Sequence, residues 1–153
     1  VIKSLLFALA ATTVASQPTV TLTRTSEGRA GWYNATATVP VFKGNALATF
    51  ATKEVAKVAE ARRSEFRSQY ARGQRPDRPG MFEWKAVVSV ATDPVISLYG
   101  HCETYTGGAH GNRDFVGLSF AVVDGKPKRL RLADLMEKGA DPVAAATELV
   151  IPR

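Results

Sequence analysis

The chain has 153 residues, enough for one domain and one core, since a domain of ~150 residues buries roughly 70% of the surface its unfolded chain exposes. It carries 20 Lys and Arg against 14 Asp and Glu, a formal charge of +6, and much of the excess gathers at Arg62, Arg63, Arg67, Arg72, Arg75 and Arg78. The single cysteine, Cys102, excludes an intrachain disulfide framework, and no stretch reaches the ~20 apolar residues that a membrane-spanning helix needs.

Residues 1–16 read as an export signal. Lys3 supplies a positive start, Ser4 to Ala11 a short apolar middle, and Thr12 to Ser16 the small residues of a cleavage site. Cleavage after Ala15 or Ser16 would leave one domain over residues 17–153. Export argues against nucleic acid as the partner of the basic stretch, and no RNA- or DNA-binding motif occurs. Anionic envelope polymers, an acidic partner surface or a merely solvated face stay open.

Thr19 to Thr25 alternates, with Val20 and Leu22 on one face, and predicts a half-buried strand. Glu27 to Gly31 is a turn. Trp32 to Phe42 alternates again, with Tyr33, Ala35, Ala37, Val39 and Val41 in phase; Pro40 implies that this strand ends there or lies at an edge. From Ala46 the period lengthens to that of a helix. Leu47, Ala51, Val55, Val58, Ala59, Phe66 and Tyr70 form one apolar face, Asn45 is placed to cap it, and Gly73 ends it. Phe82, Trp84, Ala86, Val88 and Val90 predict a third strand, Val95 to Tyr105 a fourth, and Phe115 to Val123 a fifth. Asp124-Gly125 is a hairpin signal with Lys128 to Leu132 returning. Asp134-Leu135-Met136 starts a short turn, and Asp141-Pro142 opens a last helix. Sequential strands joined by tight turns pair antiparallel. The expected class is α+β: an antiparallel sheet with one long amphipathic helix packed on one face.

The fourth strand is the candidate site. A period of two places Ile96, Leu98, Gly100 and Cys102 on one face, and Tyr99, His101, Glu103 and Tyr105 on the other. Two phenol rings, an imidazole and a carboxylate side by side suit recognition of a carbohydrate or a protein. Cys102, in phase with apolar residues, reads as a small buried hydrophobe rather than a thiol for an intermolecular bond. The strand ends in a glycine-rich turn that includes His110. Gly107, Gly108 and Gly111 there could form an anion-holding nest of N–H groups, or simply a bend whose imidazole bonds the local backbone. No metal site is expected, because Cys102 points away from His101 and Glu103, and no cofactor-binding or catalytic motif occurs.

The stretch Glu103-Thr104-Tyr105-Thr106-Gly107-Gly108-Ala109-His110-Gly111-Asn112, the apolar strand after it, Asp124-Gly125-Lys126 and Leu130-Arg131-Leu132-Ala133-Asp134-Leu135 resemble the exported domain of unknown function of the PdaC/RsiV-like family. The resemblance implies an extracytoplasmic, non-catalytic module at the bacterial cell wall. One relative binds lysozyme, and in another the domain accompanies a catalytic one. Tyr105, Gly107, Gly108, Ala109, His110, Gly111 and Asn112 carry over as motif positions of unassigned role. Members of that family continue beyond the Asp-Leu element, so a C-terminally truncated domain or a stand-alone secreted form is expected. The leading expectation is a secreted or periplasmic binding module for a wall glycan or a lysozyme-like protein. The alternatives are an envelope-polymer hydrolase using His101, Glu103 and His110, and a structural domain whose basic helix face binds another subunit.

Overall fold

The structure is a computed structural model that describes residues 17–70, 76–131 and 134. The predicted export signal, Gly73 and the last helix lie outside them. The described residues form a six-stranded sheet and one helix: β1 (Thr19–Arg29), β2 (Tyr33–Lys43), α1 (Ala46–Ser68), β3 (Gly80–Ala91), β4 (Val95–Tyr105), β5 (Asn112–Val123) and β6 (Lys126–Leu130). Spatial order follows chain order, β1-β2-β3-β4-β5-β6. This is the expected α+β class, with one correction: β2 and β3 run parallel, while the other neighbours are antiparallel. The reason is length. A helix of 23 residues spans about 35 Å, as long as a strand of eleven. It carries the chain back to the end where β2 began, and β3 must then run alongside β2.

Asn45 caps α1, its Oδ1 accepting from the Ala48 N–H at 2.8 Å. Leu47, Ala48, Ala51, Val55, Ala59 and Phe66 face the sheet and are buried. Two core clusters result. Phe42, Leu47, Val55, Ile96, Leu98, Leu118 and Phe120 belong to one. Phe66, Tyr70, Phe82, Trp84 and Cys102 belong to the other. Val39, Val58 and Val116 touch both. Each large side chain buried this way contributes about 1.5–3 kcal/mol.

Several sequence expectations shift at strand ends. Pairing of β2 with β3 stops at Thr38, so β2 continues through Pro40 to Lys43 with no ladder to β3 to disturb. At its end Phe42, rather than Val41, enters the core. The Phe42 backbone is clasped by Thr52 of the helix, whose Oγ1 accepts from its N–H at 2.8 Å and donates to its carbonyl at 3.2 Å. In β3 a bulge intervenes: Val88 pairs with Leu98 but Val90 pairs with Ser97, and the extra residue turns Val90 out to the exposed face. β1 is longer than its alternating stretch and is exposed rather than half-buried. At the end of β5, Val122 is exposed although Phe120 and Leu118 are buried. β6 begins two residues earlier than expected. The β5–β6 turn fits its signal: Asp124 and Gly125 both take positive φ, 50° and 72°, as a type I′ hairpin requires.

Candidate functional site

One face of the sheet carries α1; the opposite face is open among the described residues. The phase of β4 decides which side chains it displays. Ile96, Leu98, Gly100 and Cys102 are buried toward the helix, while Tyr99 is 42% exposed and His101, Glu103 and Tyr105 are half-buried on the open side. Antiparallel pairing sets their neighbours. Tyr99 stands between Val87 and Gly117, His101 between Lys85 and Phe115, Glu103 between Glu83 and Arg113, and Tyr105 beside Met81.

Phe115, Arg113, Met81, Lys85 and Glu83 therefore join the residues expected from β4. Phe115 is 61% exposed. Its ring stacks on His101, with 4.9 Å between centroids and 8° between planes, and lies 6.5 Å from the ring of Tyr99. The signal for Phe115 was present in the sequence: it lies out of phase with Val116, Leu118 and Phe120, and so belongs to the opposite face. What pairs it with His101 is register, which only the turn geometry fixes.

Glu83 and Glu103 face one another on adjacent strands, a repulsive arrangement. Each is neutralised separately. Lys85 Nζ lies 2.9 Å from Glu83 Oε2, and Arg113 Nη2 lies 2.6 Å from Glu103 Oε1. His101 Nε2 is 3.3 Å from the same Glu103 oxygen, yet this buried nitrogen makes no hydrogen bond. Beside these groups is a concavity of about 490 Å³ lined by Met81, Glu103, Thr104, Tyr105, Gly111, Asn112 and Arg113. It lies where β4 meets the glycine-rich turn.

That turn behaves as a backbone device. Gly107 takes φ 98°, a conformation other residues rarely adopt. At Gly111 a Cβ would sit 3.1 Å from the carbonyl oxygen of Thr104, so a small residue lets the chain fold back on itself. Gly108 and Ala109 are exposed. His110 is exposed too, its Nδ1 3.1 Å from the carbonyl oxygen of Gly111, which is the local bond expected of a structural bend. Thus Glu103, Tyr105, Gly111 and Asn112 share the concavity, Tyr99 and His101 extend the same face, and His110 sits on the turn outside the lining.

Cys102 lies on the other face, 5% exposed among core side chains. Burial pushes its thiol up to about 11, with the Arg62 charge partly opposing. Among the described residues no group of three His, Cys, Asp or Glu could hold a metal ion. The arginines of α1 turn out to be engaged within the fold. Arg62 pairs with Asp114 of β5 at 3.1 Å, and Arg63 and Arg67 clasp Glu27 of β1 and Glu60 of the helix. The basic helix face, for which a partner surface is one alternative, spends three of its guanidinium groups fastening α1 to the sheet. Arg78 is exposed; Arg72 and Arg75 lie outside the described residues.

No family model matches the sequence, and no curated protein matches it. Among solved structures the fold is similar to a DUF3298 family protein from Pseudomonas aeruginosa PAO1, with a TM-score of 0.55 and 14% identity over 86% of this chain and 62% of that one. It is also similar to a DUF3298 family member from Bacteroides fragilis NCTC 9343, with a TM-score of 0.50 and 15% identity over 87% of this chain and 66% of that one. The likeness is one of fold, to proteins grouped as a domain of unknown function. It does not extend to the PdaC/RsiV-like assignment or to the glycine motif. This chain spans less than two thirds of the length of either structure. No helix among the described residues is long and apolar enough to cross a membrane.

Proposed function

We propose that the chain is a non-catalytic, extracytoplasmic binding module of the bacterial cell envelope, and that the open face of β3, β4 and β5 is its recognition surface. The observation that carries this reading is the joint display of Tyr99, Phe115, His101 and Tyr105 around the Glu103–Arg113 pair, next to a concavity. Aromatic rings give flat apolar contact area, and the ion pair and Asn112 give polar handles at its edge, the mixture that sugar rings and protein surfaces both require. The ligand is a wall glycan or a protein such as lysozyme. Export of the chain is supported by residues 1–16, and the envelope by the resemblance of the Tyr105–Asn112 motif.

Co-sedimentation with insoluble peptidoglycan and retention on immobilised lysozyme test this reading. The chain is retained by one of them, and Tyr99→Ala combined with Tyr105→Ala abolishes retention while circular dichroism stays unchanged. Failure of both supports to retain the chain overturns it.

A second reading is an envelope-polymer hydrolase, favoured by the contact of His101 with Glu103 beside the concavity. Two features speak for binding instead. Arg113 holds Glu103 in an ion pair, and the imidazole of His110 is turned to its neighbour's carbonyl. Release of wall fragments that disappears in His110→Ala would promote the hydrolase.

A further inference from the structure

The two edges of the sheet are built differently. β6 is a short edge, Lys126-Pro127-Lys128-Arg129-Leu130, and carries charge and proline, devices that discourage another strand from adding. β1 has neither lysine nor proline, its charges being Arg24 and, beyond Thr25, Glu27 and Arg29; it runs for eleven residues in unbroken register with β2 and has no strand on its outer side among the described residues. It is exposed at every position but Glu27. Leu22, 64% exposed, and Val20, 39% exposed, stand out from it.

The threonines of this edge are placed self-complementarily about Leu22. Thr19-Val20-Thr21-Leu22-Thr23-Arg24-Thr25 places threonine at every odd position, symmetrically about Leu22. We propose that β1 pairs antiparallel with β1 of a second copy across a two-fold axis at Leu22, joining two six-stranded sheets into one. Leu22 then faces Leu22 of the partner copy, Thr21 faces Thr23, Thr19 faces Thr25, and Val20 faces Arg24. Threonine–threonine pairs and the Leu22–Leu22 pair at opposed positions stabilise such a ladder, and the C2 symmetry makes every contact off the axis occur twice. No charge faces its like. The two Arg24 residues lie four positions apart along the ladder, about 14 Å at ~3.4 Å per residue, beyond the ~8 Å Debye length of physiological salt. Pro18, which has no N–H to donate, stands immediately before the first paired residue and ends the ladder. An extended peptide of unrelated sequence would use the backbone groups of the edge, but nothing about it would account for the symmetry about Leu22.

Light scattering after size exclusion, across a concentration series of the full chain, gives a dimer that dissociates on dilution. Leu22→Lys places two ammonium groups face to face and leaves a monomer with unchanged circular dichroism. Val122→Lys, on an exposed position of β5, leaves the dimer intact. Under oxidation Leu22→Cys yields a covalent dimer, because opposed Cα atoms about 4.5–5.5 Å apart suit a disulfide; Thr19→Cys, whose partner is Thr25, yields none. A chain that stays monomeric at every concentration, or a dimer that Leu22→Lys leaves intact, overturns the proposal. So does a monomer that Leu22→Cys does not cross-link. None of these outcomes bears on the open face, so they are independent of the recognition function.

Discussion

His101 and Phe115 lie flat against each other on the open face, 4.9 Å apart and within 8° of parallel. Neither ring reaches the core, and the stack leaves Phe115 61% exposed. Tyr99, 42% exposed, lies 6.5 Å from the Phe115 ring, so the exposed rings adjoin rather than being scattered singly, as surface aromatics often are. Phe115→Ala is expected to weaken ligand binding by at least ~10-fold, as loss of a central aromatic anchor does. It should change folding stability by less than about 1 kcal/mol. Titration calorimetry and thermal unfolding of the same variant separate the two effects.

Trp84 and Gly100 test the other face. A Cβ added at position 100 would overlap Cζ2 and Cη2 of the buried indole, so glycine here is a close-packing requirement. Gly100→Ala is expected to cost about 1–3 kcal/mol, the usual penalty of overpacking, seen as a lower denaturation midpoint. Gly117→Ala on the open face, where a Cβ meets nothing within 4 Å, should be neutral or stabilise by up to about 1 kcal/mol.

The alternation of Val95 to Tyr105 makes the two faces of β4 legible in the sequence, because a half-buried strand writes its two faces into its residues. The helix was equally legible, from Leu47 to Phe66. What escaped was whatever depends on partners far along the chain. Val90 alternates with Val88, but the bulge opposite Leu98 and Ser97 reverses its face. Val20 and Leu22 look half-buried, yet β1 lies at the sheet edge and is exposed. Phe115 becomes a neighbour of His101 only through the register of β4 with β5. The arginines of α1 look like free charge until Glu27 and Asp114 are brought beside them.

Those arginines give a third prediction. Glu27 of β1 receives Arg67 at 3.0 Å and Arg63 at 3.6 Å, and Arg63 is only 17% exposed. Glu27→Gln is expected to lose about 1 kcal/mol of stability, more than an isolated surface pair contributes, because two cations lose one partner. The loss should shrink as salt rises. Urea denaturation at low and high ionic strength measures it.

Cys102 gives a fourth. The unfolded thiol ionises near 9.0, whereas burial moves the folded one to about 11. Between these values only the unfolded state gives up its proton, so stability falls as pH rises from about 9 to 11 and is unaffected by this group below that window. Burial also raises the Tyr70 phenol, which acts in the same direction at alkaline pH. Comparing Cys102→Ala with the parent chain isolates the thiol. The native thiol should also resist Ellman's reagent at neutral pH, as a buried, protonated sulfur does.

The most direct test of the proposed recognition surface is a titration of the isotopically labelled chain with lysozyme and with soluble peptidoglycan fragments, followed by backbone amide chemical shifts. One of the two ligands is expected to perturb a contiguous set on the open face: Tyr99, His101, Glu103, Tyr105, Arg113 and Phe115, with the amides of α1 unmoved. Perturbations gathered on α1, or none with either ligand, would contradict the account.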